Sequence, residues 1–494
     1  MNRELGNFKN NYLSGDIEKN IALFKEIFLN DAMFRTRNVR IGETGKRGCL
    51  LFMDGMVNSE IINEAVLKPL AVITPPITDD FCAYIAESIV CANESKCENN
   101  IKALLSSILY GDSVLLIENC KNAIIINTKG WRTRGISEPP NELVSQGSRE
   151  GFDEALMFNA ATLRRRLATP DLKIEMLNLG RKTDTKIFIC YIDSLVNKET
   201  LKRVVKKIKE IDIDGILDTN YINELINRNR YTLFKTAGST ERPDTVAARL
   251  LEGRIAIMCD GTPVVLTIPY LFTENFQADD DYYTNFSVAA IGRVLRYLCF
   301  YIAITLPAIF IALSCFHPEL LPTAFLNSIA FSRSGVPFST FSEVILLIVT
   351  FEMLKETGLR MQQNSGHALS IVGGLVVGQA AVEARIVSAP VLIITALCGI
   401  AGLMVPRLKG AVFYCKIFLT VASSVFGLYG FFTGIVLLHC HLYSLTSFGV
   451  DYVSPSLEFS FSSLKDTLIR APFSKMTTRP SSLTKNIKRL NIKK

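Results

Sequence analysis

The chain changes character near residue 290. Before it, short apolar runs alternate with charged stretches, the pattern of strands and amphipathic helices in a packed fold. After it, Tyr297–Phe316, Ile386–Val405 and Ile417–Tyr443 carry no Asp, Glu, Lys or Arg. A helix needs about 20 apolar residues to cross the ~30 Å hydrocarbon core of a bilayer, so each run predicts a membrane-directed helix. Phe341–Leu354 and Leu369–Val382 are shorter and predict tilted or re-entrant helices; the second is rich in Gly (Gly373, Gly374, Gly378), which permits close backbone packing. Phe316–Ser339 carries His317, Pro318, Glu319, Pro322 and Pro337 and reads as an external loop. The last run is long for one straight helix, and Gly427, Gly430 and Gly434 are placed to fold it into a hairpin. Four to six spans fit this pattern.

The polar part reads as a duplication. Leu50–Asn58 is an apolar strand that ends in Asp54 and passes through Val57-Asn58 into an amphipathic helix over 59–70. Phe188–Asn197 repeats this, with Asp193 and Val196-Asn197, and runs into a helix over 198–211. Asn suits such a start because its side-chain oxygen accepts the orphan N–H bonds of a first turn. Each copy also closes on a β-hairpin: Ser113–Glu118 with Ala123–Asn127, and Arg254–Cys259 with Val264–Pro269 around Asp260-Gly261. The fold class expected is an α/β soluble N-terminal region of two duplicated small α/β subdomains, followed by an α-helical polytopic membrane domain. The boundaries expected are 1–137, 138–290 (with a connector helix from about Arg149), 291–450, and a basic tail over 451–494.

Composition narrows the function. Met1–Asn20 is polar with no apolar h-region, so no secretory signal is expected and the soluble part is placed in the cytoplasm. Arg293 and Arg296 before the first span, and Arg407 and Lys409 before the last run, mark cytoplasmic ends by the positive-inside rule. The net charge is +7, and after Ser462 the only acid is Asp466. A basic tail beside a membrane points to anionic lipid headgroups rather than to nucleic acid. The 12 cysteines include no CxxC pair, so neither a zinc site nor a disulfide framework is expected, and His439-Cys440-His441 has no neighbouring carboxylate to complete a metal site. No phosphate loop and no Ser-His-Asp set is present, so no enzyme, metal or cofactor is expected.

Charge inside the apolar half is the main functional clue, because each such group costs roughly 3 kcal/mol or more and usually marks a polar pathway. Glu352, Glu356 and Arg360 are spaced to form one stripe on a helix, as are Gln379 and Glu383. One carboxylate per subunit around a symmetric oligomer makes a ring that favours cations. These residues, with Glu343, are the candidate ion pathway or gate. The alternatives are a helix-end ion pair for Glu356 and Arg360, and a helix-start cap for Glu343.

The connector 131–166 is charged and carries the arginine triplet Arg164, Arg165 and Arg166 with Glu150, Asp153 and Glu154 on the expected helix. It is read either as a solvated face or as an inter-domain or inter-subunit ion-pair strip, with Glu138, Arg149, Glu150, Arg164, Arg165, Arg166, Glu241, Arg242 and Asp244 as the contact candidates. The ordered segments Arg134–Pro139, Gly147–Phe152, Leu163–Leu167, Thr240–Asp244, Leu251–Arg254, Asp260–Pro263, Val336–Phe338, Ser370–Gly374, Gly378–Val382 and Ser447–Gly449 resemble the GerA family of spore germination receptor A subunits. The chain departs from that family's usual pattern at Met361-Gln362 (usually Leu-Pro), Arg385 (usually Gly) and Asp451 (usually Pro). Arg385 is a charge placed to pair with Glu383. The resemblance implies a nutrient-responsive receptor subunit in the inner membrane of bacterial endospores. It implies a homo-oligomer that conducts or gates monovalent cations, with a transporter-like B subunit and a lipoprotein C subunit as partners. A non-conducting membrane scaffold, or the related sporulation paralogue that amplifies ion release, is the alternative.

Overall fold

The structure is a computed structural model and describes residues 8, 11–73, 80–131, 142, 146–227, 232–360, 378–454, 464–486 and 488–489. The first sheet comprises β1 (Phe34–Arg40), β2 (Arg47–Met53), β3 (Ser95–Glu98), β4 (Ser113–Ile117) and β5 (Ala123–Ile126). The second comprises β6 (Leu172–Leu179), β7 (Thr185–Ile192), β8 (Gly238–Thr240), β9 (Ile255–Cys259) and β10 (Val265–Ile268). Their orders, β1-β2-β4-β5-β3 and β6-β7-β9-β10-β8, are the same when each sheet's strands are counted in sequence, and all pairings are antiparallel. The duplication read from the strand–Asn–helix units therefore extends to the whole topology. Both expected caps form: Asn58 accepts from Glu60 N at 2.9 Å and Asn197 from Glu199 N at 3.0 Å.

Side-chain alternation explains why the strand runs are continuously apolar. Cys49, Leu51 and Met53 of β2 face one core, whereas Leu50 faces another. The first core is shared: α1 (Ile17–Ile27), α2 (Ile101–Tyr110), α3 (Leu156–Arg166) and residues of both sheets contribute to it. The outer face of the second sheet is covered by α4 (Lys198–Lys209) and α5 (Thr219–Ile226). The connector helix is shorter than expected: α3 starts at Leu156, so Glu150, Asp153 and Glu154 precede it. Its first turn is capped from a distance, since Asp260 of the β9–β10 turn accepts from Leu156 N at 3.1 Å, and Gly261 makes that turn at φ +88°. This gives the Asp-Gly turn a positional role as well as a hairpin role. Helix α6 (Pro243–Leu251) packs against α3.

The C-terminal part is helical: α7 (Phe286–Ile311, extended by a wider turn over Ala312–Phe316), α8 (Thr323–Arg333), α9 (Thr340–Arg360), α10 (Ala389–Leu403) and α11 (Lys409–Ser444). The expected external loop thus contains a helix, and the expected 341–354 span is longer, at 21 residues or about 31 Å. By length and composition, Phe286–Phe316 and Pro406–Ser444 can each cross a membrane. The second is a hairpin rather than one rod. Gly427 sits at φ 59°, ψ −138°, and Gly434 lies against Leu419, from which a continuous helix would separate it by about 22 Å. The hairpin tip abuts Phe316, whereas Arg407 at its start and His441 at its end meet the α/β part. Helices α9 and α10 are parallel, with Glu343 beside Ser388, Phe351 beside Gly399 and Lys355 beside Gly402. Outward-facing side chains on this bundle are large and apolar, as at Ile400, Phe426 and Tyr429, which suits lipid or a partner surface rather than water.

Candidate functional site: a charged collar and the charges above it

Between the second sheet and α7 the chain forms two short 3₁₀ turns, Phe272–Phe276 and Asp279–Tyr282. Four separate parts of the chain grip this segment. From the α/β part, Arg249 reaches Glu274 at 3.2 Å and the Gln277 amide oxygen at 3.0 Å, and Arg254 pairs with Glu274 and with Glu252 at 3.2 Å. From α7, Arg293 and Arg296 pair with Asp281 at 3.2 and 2.6 Å. From the turn before α11, Arg407 donates to the carbonyls of Glu274 and Gln277 and pairs with Asp279 at 3.3 Å. From the tail, Asp466 accepts from Arg293 at 3.0 Å and from the Tyr282 hydroxyl.

Burial and ion pairing together hold this collar in place. Glu274, Asp281 and Arg293 are at most 2% exposed. Charges that deep persist only when paired and hydrogen-bonded, and breaking such a pair costs several kcal/mol because the partner is left uncompensated. Burial pushes the Glu252 carboxyl up, but Arg254, Arg249 and Arg489 outweigh it and hold the group below its usual range. Burial wins at Glu142, which is raised although it accepts from the Thr240 hydroxyl at 2.6 Å and Glu241 N at 2.9 Å.

The contact candidates from the connector divide. Arg164 meets Asp31 at 2.6 Å with both side chains fully buried, joining the second α/β unit to the first. Arg165 and Arg166 both pair with Glu150, the latter at 2.7 Å, so these three are a clamp around the loop before α3 rather than i,i+4 pairs on a helix face. Arg242 is buried and donates to the Ser148 carbonyl at 2.9 Å and to Asp244 at 2.7 Å, and Asp244 also accepts from the Tyr283 hydroxyl beside the collar. The Glu241 carbonyl accepts from Phe152 N at 2.8 Å. Arg149 is exposed. Glu138 lies outside the described residues.

In the helical part the structure brings some candidates together and separates others. Glu343 is fully buried, accepts from the Ser388 N–H and hydroxyl at 2.8 and 2.7 Å, and lies 3.5 Å from Arg333. It therefore caps α10 from α9. Glu352 is 3.4 Å from Lys355, and Glu356 is 3.6 Å from Lys409 at the start of α11. Arg360 ends α9, and its side chain lies outside the described residues. Gln379 donates to Glu383 at 2.9 Å, and both are exposed. The expected Glu383–Arg385 pair does not form among the described residues: Arg385 has φ 54° and lies against Gly335 instead. His439 and His441 face Tyr301 and Thr232 respectively, each at 3.3 Å.

Sequence reasoning missed the collar acids Glu274, Asp281 and Asp466, and also Lys416, which is 4% exposed inside the bundle among Lys355, Cys398 and Glu352. The available signal was Arg293, Arg296 and Arg407, read only as topology markers although each needs a partner if buried.

Two α/β units fused through one core are thus fastened by a charged collar to a bundle of apolar helices, two of whose segments are long and apolar enough to cross a membrane. The chain belongs to the GerA family: residues 22–482 match the family described as Bacillus/Clostridium GerA spore germination protein. It is similar to Spore germination protein KA of Bacillus subtilis (strain 168), at 38% identity over 479 residues, covering 96% of this chain and 88% of that protein. It is similar to Spore germination protein B1 of the same organism, at 33% identity over 480 residues, covering 95% and 97%. Among solved structures, the N-terminal domain of the A subunit of the Bacillus megaterium spore germinant receptor GerK3 is 31% identical, covering 53% of this chain and 97% of that one, with a TM-score of 0.42.

Proposed function

We propose that this chain is the A subunit of a nutrient germinant receptor, that it oligomerises in the inner spore membrane, and that it gates or conducts monovalent cations. Its partners on this reading are a transporter-like B subunit and a lipoprotein C subunit. Family membership supports the germination role. The observation that supports the gating role is the collar: a movement of the α/β part has an ion-paired route into α7 through Asp281 and into the α10–α11 turn through Arg407. The ion path is placed along α9, where Glu352 and Glu356 lie on the same stripe, with Gln379 and Glu383 as its second candidate wall. Glu343 is assigned to fastening α10 to α9 because its carboxylate is enclosed and engaged by Ser388. The basic ends of α7 and α11 lie beside the α/β part, which supports a cytoplasmic N-terminal region and tail. An even number of passes, four or six, fits that placement of both ends.

A second reading, a non-conducting assembly subunit, is favoured by the pairing of Glu352 with Lys355 and Glu356 with Lys409. Reconstitution of the full chain in liposomes separates the two. Cation flux without other subunits supports the conducting role, and absence of flux with the B and C subunits present supports the scaffold.

A further inference from the structure

The first α/β unit gathers three of its cysteines at one end of its sheet. Cys82 lies in the short helix Phe81–Tyr84, is 3% exposed, and its thiol donates to the Asn122 carbonyl at 3.3 Å in the β4–β5 turn. Cys120 sits in that same turn, partly open to solvent. Cys97 lies on β3, opposite Ile124 of β5. All three pack with the apolar cluster on the outer face of the sheet.

Cys120 lies two residues before Asn122, in the turn that the Cys82 thiol engages, so the two thiols are neighbours in the outer cluster. The Lys46 ammonium lies 3.9 Å from the centroid of the Phe81 ring, beside this pair. The neighbouring Cys82 thiol brings the Cys120 thiol down to about 7, with Lys46 helping against burial, while Cys82 is pushed strongly up. Burial also raises Cys97. A thiolate beside a cation and next to a second, protonated thiol is the arrangement that makes one cysteine the attacking group and the other the resolving group. No cluster of three metal-ligating side chains lies among the described residues, so the pair is not a fragment of a metal site there.

We propose that Cys82 and Cys120 are a thiol–disulfide pair that a small-molecule disulfide of the glutathione class closes. The Cys120 thiolate attacks one sulfur of the oxidant, expelling its other half as a thiolate and leaving a mixed disulfide on Cys120. The Cys82 sulfur, giving its proton to the thiolate first expelled, then attacks the Cys120 sulfur and expels the second half. Two protein thiols are oxidised, one small-molecule disulfide is reduced to two thiols, and the new S–S bond ties the helix Phe81–Tyr84 to the β4–β5 turn. Cys120 is the entry point because it is the more exposed of the two.

The test treats the full-length chain in detergent with oxidised glutathione near neutral pH, blocks remaining thiols, and maps linkages by mass spectrometry without reduction. The expected result is a Cys82–Cys120 linked peptide pair that dithiothreitol reverses. Cys82→Ser should stop at a glutathione adduct on Cys120, Cys97→Ser should leave the link intact, and Lys46→Met should slow its formation several-fold. The proposal is overturned if the unmodified protein gives no such link, or if Cys91 or Cys97 captures the oxidant ahead of Cys120.

Discussion

Replacing Asp281 by Asn tests the collar most sharply. The carboxylate is 2% exposed and accepts from Arg293, from both terminal nitrogens of Arg296 at 2.9 and 2.6 Å, and from Ala278 N at 3.2 Å. Asn keeps the shape and one acceptor oxygen but removes the charge facing two guanidinium groups. Breaking a buried pair costs roughly 3–5 kcal/mol when the partner charge is left alone. Arg293 retains Asp466 at 3.0 Å, so the lower end of about 3 kcal/mol applies here. In a cooperative unit of about 150–250 residues each kcal/mol moves the midpoint by about 2–4 °C, so a fall of roughly 6–12 °C is expected. The assay is thermal unfolding of the full chain in detergent, with Arg296→Gln and the double variant completing a cycle. The two changes should be non-additive, because the second removes a charge the first has orphaned. A shift below about 2 °C, or additivity within about 0.5 kcal/mol, would refute the assignment of Asp281 as the anchor of α7.

Other outcomes follow from the same geometry. Arg164→Met alone leaves Asp31 buried without its cation and should destabilise by about 3 kcal/mol, whereas adding Asp31→Leu should recover most of that in the same melting assay. Glu252, held below its usual range, contributes stability that is present above its unfolded value of 4.5 and is lost as pH falls through the lower folded value. Its Gln variant should therefore lose stability at neutral pH and show a flatter acid limb. Glu142 has the opposite sign: its folded value is raised, so its contribution is full below 4.5 and fades as pH rises through the folded value. Glu142→Gln should be neutral or stabilising at pH 7 when stability is titrated. Gly427→Ala places a side chain in a backbone region favouring Gly and against Phe316, and should cost at least 1–3 kcal/mol by opening the α11 hairpin, measurable as a lower midpoint.

How much of this was legible depends on where the physical signal sits. Strands β2, β4, β7 and β9 are buried on both faces and stand out as continuous apolar runs. Strand β1, Phe-Arg-Thr-Arg-Asn-Val-Arg, has no fully buried residue, and β8 is three residues long, so neither shows the alternation that marks a strand. The hairpin in the last apolar run was readable because its glycines exceed what a straight helix needs. The collar was not, because its partners are far apart in sequence: Arg293 and Asp466 are separated by 173 residues. Asp466 looked like a stray acid in a basic tail, and Arg293 looked like a membrane-side flag. Both readings describe composition correctly and miss that burial obliges each charge to find the other. In the helical half, the stripe of Glu352 and Glu356 was visible by spacing. The Glu352–Lys355 pair is an i,i+3 contact on α9 that spacing also allows, whereas the pairing of Glu356 with Lys409 depends on how α9 meets α11, which spacing does not encode.

The claim that α9 carries the ion path is tested most directly by reversal potentials of the reconstituted full chain under a salt gradient, comparing it with Glu352→Gln and Glu356→Gln. The account predicts cation preference in the unmodified protein and a reduced cation-to-anion permeability ratio in each variant, with assembly unchanged. Cation-selective current that is identical in all three proteins would contradict it.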